Sequence, residues 1–497
     1  MHRATVFWIE VLLVLTVASC QTETAPDAAL QAPYAVGSQT RFIHDYSRGY
    51  DSVGGIDAGV RILITEVWYP VDHAVVAEDA AGYRRATYGD YVFGDREMHR
   101  LMMTQTTFFH LTPDSVRDGV SLTEINATID ELFVRERNSY VDAPPATSQN
   151  PWPVVVMSHG DAGSRYNMET ACEYLAAHGY LVIAPEHTGN SPYSLTGRDP
   201  ALAATGGDSE LQARMADVMP HLDNRGAYGN HDTYGQSYAP LGTGLESSES
   251  LVNLDDSLVQ RVNDLRATLD ELEEMNHSGP FAKRLALGRI GLMGRSFGGT
   301  TTLAALALEP RLSAGMAVVP YVLPDVRSSL PAELLRPSGQ ESVLLSTDGP
   351  FALGEIRKPM LLLSGAEDAL IIGANASLAA LVGAPAPTPV NPHPLLRTAF
   401  ETADQPVVWG LLHNSNHSSF GVSGSYWWPQ LKPGTQPRYF EPETSFMLVD
   451  PEIAHRMQRV KALQFFDLFI RGDSTARSRL LDNRFAEDGL ILEARNL

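Results

Sequence analysis

The segment Gly294-Arg295-Ser296-Phe297-Gly298 sets one serine between two glycines. A serine hydroxyl is a poor nucleophile unless a base takes its proton and donors hold the oxyanion that forms. Leaving a strand for a helix through so tight a turn forces the serine into strained backbone angles and lifts its oxygen clear. Bulky residues two positions away would collide, which glycines at 294 and 298 avoid. The surroundings suit this reading, since the apolar run RIGLM (289–293) precedes the turn and the helix-forming GGTTTLAALALE follows it. A helix starting here also aims its first amides toward the hydroxyl.

A base and an acid should follow on later turns. VVWGLLHNSNHSSFG (407–421) offers two imidazoles. His417 lies further from the strand end, in a loop free to reach the serine, and is the expected base, with His413 the alternative. KPMLLLSGAEDAL (358–370) sets a G-x-x-D turn after an apolar run. There Asp368 is the expected acid that orients the imidazole, and Glu367 is its neighbouring competitor. The order Ser, Asp, His is that of α/β-hydrolases and differs from the chymotrypsin and subtilisin orders.

Such a site needs a scaffold, and the chain alternates short apolar runs with helical stretches. The runs are 154–157, 181–184, 289–293, 315–319, 360–363 and 407–410, and the earlier RILITEVWYP (61–70) reads as a strand bounded by Gly and Pro. Leu258, Val262, Leu265, Leu269 and Leu272 recur at spacings of one helical face, as do Ile453, Met457, Val460, Leu463, Phe466 and Ile470. Residues from about 95 to 140 also look helical. Strands without polar faces, alternating with amphipathic helices, predict an α/β fold: a mostly parallel sheet covered on both sides.

These segments together resemble the platelet-activating factor acetylhydrolase and dienelactone hydrolase-like group of α/β-hydrolases. The matching residues are VWYP (67–70), VVVMSHG (154–160), AAHGYLVIAPEH (176–187), GRSFGG (294–299) and the His417 loop. The resemblance spans roughly residues 40 to 475, insertions excepted. It implies ester hydrolysis through an acyl-enzyme. It also implies an oxyanion hole made of two backbone amides, that of Phe297 and one from the loop after the first buried strand, here Asp161. Each such donor is worth roughly 10²- to 10³-fold in rate. An aspartate there is unusual, because its carboxylate would oppose the developing charge unless it points away. His159 reads as a histidine that holds this loop more than as a proton carrier. In the acetylhydrolases the acid sits soon after the strand following the nucleophile helix, a place that looks here like Val319. Valine cannot serve, so Asp368, or Asp325 nearby, must.

The chain has 497 residues, 44% of them hydrophobic and 19% charged, as expected of a globular protein with a large core. With 59 acidic against 37 basic side chains the net charge is −22, which repels phosphate backbones and argues against a nucleic-acid partner. The leader MHRATVFWIEVLLVLTVASC ends in Val17-Ala18-Ser19-Cys20, which resembles a bacterial lipobox. Export, with lipid on Cys20 anchoring the chain to the cell envelope, is therefore expected. Residues 21–38 would be a flexible tether and 39–497 the catalytic domain. Cys172, in a helical stretch, reads as a buried apolar residue.

Two stretches break the rhythm. Residues 188–250, rich in Gly, Ser, Tyr, Asn and His, are too long for an ordinary connection and are expected to form a lid, a surface insertion being the alternative. Residues 421–442 carry Tyr426, Trp427 and Trp428, which would line a pocket or pack against the body. No cofactor is implied, and the two histidines of HNSNH lack a carboxylate partner for a metal. Nothing in the sequence bears on oligomeric state. The expectation is a secreted serine hydrolase acting on a small-molecule, lipid or polymer ester. The alternative is a catalytically silent binding protein on the same scaffold.

Overall fold

The computed structural model describes residues 32–77, 82–92, 96–97, 99–100, 103, 119–191, 193–194, 199–203, 205–218, 248–322, 324–347, 356–428, 431 and 435–497. The leader, Cys20 and most of the tether lie outside the described residues.

The apolar runs form strands. In chain order the strands, those of the apolar runs and others, are β1 (Ala35–Asp45), β2 (Arg61–Val71), β3 (Arg85–Thr87), β4 (Glu136–Val141), β5 (Trp152–Ser158), β6 (Leu181–Pro185), β7 (Leu285–Arg295), β8 (Leu312–Val318), β9 (Met360–Gly365) and β10 (Val407–Leu412). A small hairpin, β11 (Thr435–Pro437) and β12 (Ser445–Met447), stands apart, and β13 (Leu490–Arg495) closes the chain. The large sheet runs β13-β10-β9-β8-β7-β5-β6-β2-β1-β4-β3. From β6 to β10 its neighbours are parallel, while β2 and β13 join antiparallel. Helices cover it in two packed groups, Glu169–Ala177 with Pro451–Phe466 and Ser248–His277 with Phe297–Leu308. The fold class expected from the sequence is thus the observed one: the α/β-hydrolase arrangement, a mostly parallel sheet dressed with helices.

The parallel core matters because it brings the carboxyl ends of its strands to one edge, where such sheets build their sites. Register aligns Ser158 with Gly294, Arg295 with Val318, and Gly365 with Leu412. The loops after β5, β7, β9 and β10 therefore emerge side by side. Leu258, Val262, Leu265, Leu269 and Leu272 are almost wholly buried, as their spacing required. Cys172 is fully buried, and burial pushes its thiol well above the ordinary value.

The structure adds to the sequence reading: β1 begins at Ala35, within the expected tether 21–38, and β1, β3, β11 and β12 were not read as strands. The described part of 95–140 is helical at Leu122–Val134, but Glu136–Val141 is a strand. Its buried positions are Arg137 and Ser139, so its alternation is polar inside and carries no apolar signal. The edge strand β13 was not foreseen. Of the expected lid, residues 219–247 lie outside the described residues, and the part before them docks Leu211, Met215 and Val218 against Tyr50, Ile56, Val60 and Ile62. In the second insertion Trp427 and Trp428 are buried, and Trp427 packs edge-on to Tyr88, with ring centroids 5.0 Å apart. Those two aromatics pack against the body.

Candidate active site

Ser296 stands between the end of β7 and the start of the helix Phe297–Leu308, at its N-cap, with φ 57° and ψ −124°, a strained region for a side chain with a Cβ. Its N–H is held by the Val318 carbonyl at 2.8 Å. The glycines explain how so tight a bend closes. A Cβ on Gly294 would lie 2.2 Å from the Gly298 carbonyl oxygen, and one on Gly298 would lie 2.0 Å from that of Ser158. As the helix's first residue, Phe297 has an N–H with no intrahelical acceptor.

His417, the expected base, sits in the loop after β10. His417 Nε2 lies 2.9 Å from Ser296 Oγ, and its Nδ1 lies 2.8 Å from Asp368 Oδ2. A short turn holds the imidazole. Asn416 Oδ1 accepts from the Ser418 amide at 3.1 Å and from the Ser418 hydroxyl at 2.8 Å, while Asn416 Nδ2 donates to Gln436 at 2.8 Å. Arg295 donates to the His417 carbonyl at 2.5 Å. Burial draws the Arg295 guanidinium down to about 10, the Asp368 charge opposing this only in part.

Asp368 is fully buried and caps the helix Ala369–Val382, its Oδ1 accepting from the Ile371 amide at 3.1 Å. Burial raises its carboxyl, but the charge and hydrogen bond of His417, the Ile371 amide and nearby His393 outweigh that and hold it below the ordinary value. The Glu367 amide donates to the Ser415 carbonyl at 3.0 Å and fastens the loop of Asp368 to that of His417. Beside them, His393 contacts the Gly365 carbonyl through Nε2 at 2.9 Å.

The other candidates lie elsewhere. His413 is exposed and its N–H pairs with the Gly489 carbonyl at 3.0 Å. Glu367 holds Arg438 and the Tyr439 amide. Asp325 is bound by Arg327 through two guanidinium contacts of 2.8 and 2.6 Å. Val319 is buried at φ 42°, apolar and strained, without a group that could orient an imidazole.

The loop after β5 lies against the serine: a Cβ on Gly160 would come within 3.1 Å of Ser296 Cβ. Asp161 therefore follows the residue that lies against Ser296. Its Oδ1 accepts from Asn190 at 2.6 Å and from the Ala162 amide at 3.1 Å. His159 is buried, contacts the Gly160 carbonyl through Nδ1 at 2.7 Å and accepts from the His187 amide at 2.9 Å. Both ring nitrogens are thus engaged with the loop, and burial with the Arg261 charge drives its pKa well below the ordinary value.

The sequence reading missed Arg295, Asn416 and His393. Arg295 occupies the variable position before the serine. Asn416 opens an N-x-x-S capping pattern, a signal that could have been read. His393 sits between prolines in NPHP, just ahead of a helix, with no chemical signature of its own.

The family model described as platelet-activating factor acetylhydrolase, isoform II, matches residues 126–221. A platelet-activating factor acetylhydrolase of Cavia porcellus is 26% identical over 197 residues, which is 38% of this chain and 40% of that relative. The match thus spans well under half of the relative's length. Among solved structures, the ferulic acid esterase from Streptomyces cinnamoneus is similar with a TM-score of 0.53 and 19% identity, covering 93% of this chain and 97% of that one. At that identity the likeness speaks for the fold. All three fit the α/β-hydrolase group that the sequence resembles.

Proposed function

We propose that this α/β-hydrolase is a serine esterase that cleaves carboxylic esters through an acyl-enzyme. The observation that carries the reading is the unbroken chain Ser296 Oγ, His417 and Asp368, with contacts of 2.9 and 2.8 Å. Ser296 Oγ attacks the ester carbonyl carbon while its proton passes to His417 Nε2. The amides of Phe297 and Asp161 hold the oxyanion. Collapse expels the alcohol, which takes the proton from His417. Water, deprotonated by the same imidazole, then attacks the acyl-enzyme and releases the carboxylic acid and free Ser296. Asp368 stays ionised and fixes the tautomer and orientation of the imidazole.

The substrate class follows from what supports the reading. The relative named as an acetylhydrolase supports acyl esters as substrates, and short-chain or phospholipid acetyl esters are the proposed members of that class. A silent binding protein would gain nothing from a serine kept in backbone strain against an imidazole. Export and lipid attachment at Cys20 are part of the proposal and rest on the leader alone. Labelling of the chain by palmitate, lost in Cys20→Ala, tests that part.

The catalytic proposal is tested with p-nitrophenyl acetate and butyrate. The protein should cleave both, and Ser296→Ala should remove the activity. Turnover that survives the substitution overturns the mechanism.

A further inference from the structure

The oxyanion loop is gripped from behind by a buried polar assembly that the reaction steps above do not use. The helix Ser248–His277 sends Arg261 and Asp264, one turn apart, inward among its leucines, and both are fully buried. Asp264 takes a bidentate contact from Arg61, at 2.9 and 2.7 Å, and stands 3.0 Å from His187 Nδ1. His187 Nε2 lies 2.9 Å from Ser158 Oγ. Ser158, His187 and Asp264 thus repeat the residue types of a triad, yet all three are 0% exposed, so no substrate reaches that serine. Their common neighbour is the loop, because the His187 amide donates to His159, whose other nitrogen meets the Gly160 carbonyl.

Arg261 makes the more direct connection. Its guanidinium donates to the His159 carbonyl and to Asn190 Oδ1, and it lies 3.2 Å from Ser158 Oγ. It also covers the ring of Phe297, with 4.6 Å from Cζ to the centroid. Asn190 turns its Nδ2 to the Asp161 carboxylate at 2.6 Å. One guanidinium therefore links to both residues whose amides the proposed oxyanion hole uses, covering the Phe297 ring directly and reaching Asp161 through Asn190. The chain of contacts also answers why an aspartate is tolerated at 161: its carboxylate is drawn to Asn190, behind which stands a cation.

We infer that Arg261 and Asn190 are positioning residues that hold the Phe297 and Asp161 amides at the spacing an oxyanion requires. The inference rests on the esterase reading. A misplaced donor loses transition-state stabilisation without loosening ground-state binding, so the loss should fall on kcat and leave KM alone.

The experiment measures two rates on the full chain, phosphonylation of Ser296 by a fluorophosphonate and turnover of p-nitrophenyl acetate. It compares wild type, Asn190→Ala, Asp161→Ala, their double variant and Arg261→Lys, with thermal melts as the folding control. Each single variant should lose about tenfold or more in both rates, with KM within about twofold. The double variant should be no slower than the slower single one, since Asn190 acts through Asp161. If Asn190→Ala does not fold, Asn190→Ser, too short to span both partners, should give the same loss. Undiminished rates in Asn190→Ala, additive losses in the double variant, or a loss expressed in KM overturn the inference. A wild type that neither labels at Ser296 nor turns over the ester would instead sink the esterase reading.

Discussion

His417 Nε2 stands 2.9 Å from Ser296 Oγ, although 121 positions of chain separate the two residues. They meet because β7 and β10 run parallel in one sheet and release their loops at the same edge. His413, four residues earlier, is exposed and turned toward Gly489. His417→Ala should therefore lower kcat for p-nitrophenyl acetate by roughly 10⁴-fold or more, whereas His413→Ala should stay within about threefold. The reverse ranking would move the base to His413.

Three carboxylates compete for the acid's role, and only Asp368 touches the imidazole. Asp368→Asn should cost roughly 10⁴-fold in kcat, because an amide favours the wrong tautomer of His417. Glu367→Gln and Asp325→Asn, whose partners are arginines elsewhere, should leave kcat nearly unchanged. Steady-state kinetics on the three variants decides, and a large loss in Asp325→Asn alone would restore that residue as the acid.

The bend at Ser296 leaves no room for a methyl group at 298. Gly298→Ala would put a carbon 2.0 Å from the Ser158 carbonyl oxygen and 2.5 Å from that of His159, both backbone atoms that cannot swing away. A destabilisation of about 3 kcal/mol is expected, read as a lower denaturant midpoint at unchanged slope. A stable, active Gly298→Ala would contradict the geometry of the bend.

Acid should loosen the assembly behind the oxyanion loop. Burial, then the Arg261 charge, draws His187 down to about 3, with Asp264 opposing, while a histidine in the unfolded chain titrates near 6.5. Between those values the unfolded chain binds a proton that the folded one refuses. The stability contributed by keeping His187 neutral is therefore complete above pH 6.5 and lost as pH falls toward 3, at about 1.4 kcal/mol per unit. His159 and His455, also buried and shifted down, act in the same direction. Glu169, raised to about 8 by burial with the Glu173 charge adding, acts oppositely: its contribution fades as pH rises from about 4.5 to 8. Thermal melts should show Tm falling below pH 6.5, less steeply in His187→Gln. A Tm that climbs on acidification would refute this balance.

Much of the scaffold was legible in the sequence because core strands buried on both faces are written as uninterrupted apolar runs, as VVVM and MLLL show. The residues Ser296, Asp368 and His417 were legible because each follows such a run at the end of a strand. Edge strands such as β13 apart, what escaped was polar and buried. Strand β4 hides behind Arg137 and Ser139, and the brace behind the oxyanion loop is built from Arg261, Asp264 and Asn190, whose partners lie far away in sequence. Local periodicity cannot announce such residues. One trace was visible, a charged pair three residues apart on an otherwise leucine-rich helical face.

The central claim is that Ser296 is the nucleophile, and a p-nitrophenyl phosphonate ester tests it most directly. Incubation should release one equivalent of p-nitrophenol and leave a single adduct, located by peptide mass spectrometry on Ser296, absent in Ser296→Ala and greatly slowed in His417→Ala. An adduct on another residue, or ester cleavage by a protein that takes up no phosphonate, would contradict it.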